Sequence, residues 1–111
     1  MDIQALIIKE VSELYGPYKT RYAVEAFEGI LKESKRSKMT VEFISDKLKH
    51  LNLRRLKAIS RMKLVMSKVP ESPEEQFRGV KVVKDAHTVL NFTYGEIYAY
   101  NRLLNKIKNS E

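Results

Sequence analysis

The chain has 111 residues, 43% of them hydrophobic and 32% charged, with no Cys and a net charge of +7. That length predicts one domain with a core of its own, and so apolar a composition excludes a disordered chain. The lack of Cys excludes thiolate metal sites, iron–sulfur clusters, thiol nucleophiles and a disulfide framework, and no apolar run approaches the roughly 20 residues of a membrane span.

The first predicted element runs from a capping Asp2 to Tyr15, with Ile3, Ile7, Ile8, Val11 and Leu14 on one side, and Gly16–Pro17 stop it. Residues 18–35 repeat the pattern: Tyr22, Ala23, Val24, Ala26, Phe27, Ile30 and Leu31 form a wide apolar face, with Glu25, Glu28 and Lys32 outside. Lys35, Arg36, Ser37 and Lys38 read as a solvated loop. Thr40 is a good N-cap for a third helix that points Phe43, Ile44, Leu48 and Leu51 inward. Asn52 either breaks that helix or lets it continue to Ser67, since Ala58, Ile59, Met62, Val65 and Met66 share one face.

Val69 and Pro70 end this segment, and Ser72-Pro73-Glu74-Glu75 combines a capping box with Pro at the first helical position. Between Arg78 and Asn91 the apolar residues recur with a helical period, which favours a helix. The same stretch is rich in Val, so a β-hairpin over about 80–92 is the alternative. Thr93 and Glu96 form another capping box, and Ile97, Tyr100, Leu103, Leu104 and Ile107 make the last amphipathic helix, which frays over Lys108 to Glu111. The expected architecture is a mainly α single domain over 1–111, a compact bundle of five or six short helices.

Nothing in the chain points to catalysis. His50 and His87 lack a neighbouring Gly-flanked Ser, and no phosphate-binding loop, dinucleotide fingerprint, zinc-protease motif or calcium loop is present. The acidic pairs Glu10 with Glu13 and Glu25 with Glu28 fall on predicted solvent faces, and Glu74–Glu75 belongs to a cap. The expectation is therefore a non-enzymatic protein with no catalytic residue, no metal and no cofactor.

Charge is the informative signal, because it is concentrated. Residues 1–31 carry a net −2 and residues 69–111 carry none, whereas residues 32–68 hold 12 Lys or Arg against three acids. From Lys47 to Lys68 there are eight cations and no acid at all. Solvated helices usually alternate signs to gain pairs three and four residues apart. On a helical wheel Arg54, Lys57, Arg61 and Lys68 fall within a sector about 60° wide, separate from the apolar face. Such a row follows several successive phosphates, and the Arg residues add planar forks suited to phosphate or guanine. Lys47, Lys49 and Arg55 complete the candidate nucleic-acid-binding set.

The stretch from Thr40 to Lys63 resembles a helix-turn-helix, with a turn near Leu51 and Asn52 and a basic second helix. With a hairpin at 80–92 this resemblance implies a winged helix. On the all-helical reading, Leu53-Arg54-Arg55-Leu56-Lys57-Ala58-Ile59, then Pro70-Glu71-Ser72-Pro73-Glu74-Glu75, then a Tyr-rich helix is similar to the helical domain of archaeal GINS subunits. That similarity implies a small subunit of a nucleic-acid-processing complex. Tyr94 and Tyr98 share a face outside the core stripe and are candidates for a dimer or base contact. The sequence thus predicts an intracellular, cytoplasmic nucleic-acid binder, DNA first, with no membrane association; the alternative is a helical protein-interaction subunit, as a homodimer or within a complex.

Overall fold

In the computed structural model the described residues are Ala5, Lys9 and 20–109, so the element expected over residues 2–15 and its Gly16–Pro17 stop lie outside them. Three helices fill the described stretch: α1 (Thr20–Ser34), α2 (Val41–Met66) and α3 (Pro73–Asn109). The mainly α class holds, but the five or six short helices become three, of 15, 26 and 37 residues. No strand occurs among the described residues, so neither the hairpin at 80–92 nor a winged helix exists there.

The starts of α2 and α3 follow local chemistry. Thr40 holds an extended backbone and its hydroxyl accepts from Phe43 N at 3.1 Å, which satisfies one of the otherwise orphaned amides. Ser72 Oγ accepts from Glu75 N at 3.1 Å, and Glu75 Oε2 reaches back to accept from Glu71 N at 3.1 Å. Pro73 is the first residue of α3, where its missing N–H costs nothing.

The interiors follow packing instead. Asn52 does not break α2: a mid-helix Asn costs only about 0.7 kcal/mol, while Leu51 and Ala58 on either side are both buried. Without a turn there, the helix-turn-helix is lost. The Val-rich region is helical because its period places Ala86 and Leu90 in the core, and that burial outweighs a modest β preference. Thr93 does not start a helix; it is fully buried in the middle of α3, and its hydroxyl donates to Val89 O at 2.7 Å, one turn back.

α3 is the spine. α2 runs back along it, and α1 crosses its second half. The core cluster draws Ala26, Phe27 and Ile30 from α1, Met39 from the connection, Ile44 and Leu51 from α2, and Ala99, Tyr100 and Leu103 from α3. All of it lies at one end of the hairpin. Beyond Ala58 on α2 and before Ala86 on α3 no residue is buried, so the other end is a bare helix pair. The molecule measures 57 × 30 × 23 Å, the long dimension matching a 37-residue helix at about 1.5 Å per residue.

Two glycines set helix separations. A Cβ on Gly95 would lie 2.7 Å from the carbonyl carbon and oxygen of Tyr22, so α1 rests directly on the α3 backbone. A Cβ on Gly79 would meet Val65 Cγ1 at 3.2 Å. Tyr22 also meets Phe92 edge to face, with ring centroids 4.9 Å apart. No helix among the described residues is long and apolar enough to cross a membrane.

Candidate polyanion interface on α2

The eight cations from Lys47 to Lys68 do not act as one group, because α2 turns them toward different neighbours. Arg54 leans across to α3. Its Nε donates to Thr93 Oγ1 at 2.7 Å and its Nη2 to Glu96 Oε1 at 2.7 Å. The hydroxyl and carboxylate that read as a capping box in sequence are thus the two acceptors of an interhelix fork. Arg54 satisfies the buried Thr93 and is engaged by the fold itself.

Lys47 is half-buried, with Nζ 5.4 Å from the Phe43 ring centroid. It lines an open cleft of about 420 Å³ together with Glu25, Glu33, Glu96 and Tyr100. Carboxylates of this chain thus share a cleft with the cation at the start of the row. In the same region burial, reinforced by Glu96 and then Glu33, pushes the Tyr100 phenol up to about 12. Arg55 sits four residues from both Leu51 and Ile59, shares their inward-facing stripe and is half-buried.

Lys57, Arg61 and Lys68 differ from these. All three are exposed, and none forms an ion pair among the described residues. Lys57 and Arg61 are one turn apart on the outer face of α2. Lys68 lies just past the Ser67 cap, beyond the last helical residue, Met66. Lys63 is also exposed but lies on the other edge of that face, and exposed Lys49 lies in its middle, one turn before Leu53. Of the seven residues read as a site, the structure leaves Lys57 and Arg61 exposed along one edge of α2, Lys49 exposed near its start and Lys68 exposed just past its end. It diverts Arg54, Lys47 and Arg55 into the fold.

Between the two edges runs a feature that the charge count passes over. Leu53, Leu56 and Leu64 are exposed on the outer face, at spacings of three and eight residues. The same wheel that aligns the cations places them side by side, so the signal was available in the sequence. At the bare end of the hairpin, Val65, Met66, Pro70, Val80, Val82 and Val83 line an open groove of about 510 Å³, rimmed by Lys68, Arg78 and Glu75. Among the described residues no group of three or more His, Cys, Asp or Glu is arranged to hold a metal. Comparisons with protein-family models, with curated proteins and with solved structures return no match to this chain.

Proposed function

We propose that this chain is a non-enzymatic helical interaction subunit that receives a polyanionic partner on the outer face of α2. The observation that carries the reading is the set of exposed cations Lys57, Arg61, Lys63 and Lys68, with no acid between residues 47 and 68. Like charges this close repel, and a partner of opposite sign removes that cost. A bare, elongated hairpin is a form suited to docking, because little of its surface is committed to its own core.

Direct binding of nucleic acid, DNA first, is the second reading. The exposure of Lys57, Arg61 and Lys68 favours it, since phosphates ask for cations and little else. Its residues are Lys57, Arg61 and Lys68 with Lys49 assisting; Arg54, Lys47 and Arg55 join them only by leaving the neighbours described above.

One titration tests the proposal: labelled polyglutamate, duplex DNA, single-stranded DNA and RNA, each at two salt concentrations, against the wild type and the Lys57→Ala/Arg61→Ala/Lys68→Ala variant. The expected result is binding of at least one polyanion that weakens with salt, with a shallower salt slope for the variant. Retained binding with an unchanged slope in the variant would remove α2 from the interface. Preference for any nucleic acid over polyglutamate at matched charge would select the second reading.

A further inference from the structure

We infer that the outer face of α2 is a docking seam for an acidic amphipathic helix of a protein partner. The inference rests on the polyanion reading above and names the polyanion. Its basis is the juxtaposition of two surfaces that seldom share a helix face. Leu53, Leu56 and Leu64 are 55%, 50% and 59% exposed, and Ser60 occupies the position between them. With α2 continuous from Val41 to Met66, these residues form one stripe about 16 Å long at 1.5 Å per residue. A single exposed leucine needs no explanation. Three in register, on a helix segment without an acid, form an apolar track.

Both edges of that track are cationic. Lys57 and Arg61 flank one side and Lys63 the other, Lys49 heads the track one turn before Leu53, and all four are exposed. A phosphate backbone would satisfy the cations and leave the leucines against charged oxygens and water. A second copy of this chain would cover the leucines and bring eight cations face to face, with no acid in either segment to offset them. A helix with apolar residues along one stripe and Asp or Glu on both flanks meets each demand at once. It buries the leucines as knobs between facing turns and places carboxylates where flanking positions of paired helices usually carry their ion pairs. None of the described residues covers the seam, so a partner helix of roughly four turns can lie on it without rearrangement of α1 or α3.

The test uses the full chain and four labelled probes in fluorescence anisotropy. They are a synthetic helical peptide with Leu at intervals matching the seam and Glu on both flanks, a scrambled peptide of the same composition, polyglutamate and a short DNA duplex. The patterned peptide is expected to bind about tenfold or more tighter than the scrambled one. Leu53→Gln/Leu56→Gln/Leu64→Gln is expected to erase that difference while leaving binding of polyglutamate unchanged. Because the leucines project outward, far-UV circular dichroism of this variant should match the wild type. Lys49→Ala/Lys57→Ala/Arg61→Ala/Lys63→Ala is expected to weaken the patterned peptide and flatten its salt dependence.

Equal binding of patterned and scrambled peptides, or an unchanged preference in the leucine variant, overturns the seam. If polyglutamate or DNA still binds in that case, the polyanion reading survives without it. If none of the four probes binds, the polyanion reading fails as well. A wild-type dimer in sedimentation that the leucine variant dissolves would assign the stripe to a second copy and likewise overturn the inference.

Discussion

Replacing Gly95 by Ala tests the closest approach in the molecule. The added Cβ would lie 2.7 Å from the carbonyl carbon and oxygen of Tyr22 and 2.8 Å from its Cβ. Carbon atoms pack at about 3.5–4.0 Å, so α1 has to retreat by roughly 1 Å. The obstacle is backbone rather than the end of a flexible side chain, and α1 carries Phe27 and Ile30 into the core. Overpacking of this kind costs about 1–3 kcal/mol, and a rigid collision belongs at the top of that range. Against it stands the gain of about 1 kcal/mol for Ala over Gly inside a helix. The expected net loss is about 2 kcal/mol, read as a lower midpoint in urea denaturation followed by far-UV circular dichroism. Gly29 is the control. It is exposed in α1 with nothing within 4 Å of an added Cβ, so Gly29→Ala should stabilise by about 0.5–1 kcal/mol. If Gly95→Ala were as stable as Gly29→Ala, the direct seating of α1 on the α3 backbone would be refuted.

Arg54→Ala should destabilise the fold by about 1–2 kcal/mol, because it strips a charged donor from the buried Thr93 hydroxyl and from Glu96. The exposed half of that pair keeps the loss modest. Arg61→Ala should stay within about 0.5 kcal/mol of wild type, and equal losses in the two variants would contradict the separation of structural from free cations. Tyr100 makes the alkaline limb of stability informative. Its phenol is raised from 10.0 to about 12 in the folded chain, so the fold holds a proton that the unfolded chain releases. This contribution is intact below pH 10 and is lost as pH rises through about 12. Denaturation at a series of alkaline pH values should therefore show a steeper loss for wild type than for Tyr100→Phe, and parallel curves would place Tyr100 in water.

What the sequence determined by itself is local. The caps at Thr40 and Ser72 needed only a hydroxyl and an amide three residues on, the inward faces needed only the helical period, and the density of charge from Lys47 to Lys68 needed only counting. Continuity of the helices was not legible in that way. Asn52 and the Thr93–Glu96 pair are weak local signals worth about 1 kcal/mol each, and in α2 and α3 each is outvoted by the apolar residues around it that are buried against the other helices.

The fate of the cations was settled only by the tertiary fold. Arg54 meets Thr93 and Glu96 across 39 and 42 residues of chain, a distance over which periodicity carries no information. Once α2 lies on α3, a guanidinium close to their seam finds a hydroxyl and a carboxylate, while Lys57 and Arg61, one and two turns further along the outer face, find water. Side chains with the same charge in the same helix thus divide into those that hold the fold together and those left exposed, because pairing depends on which acceptors α3 places opposite each turn.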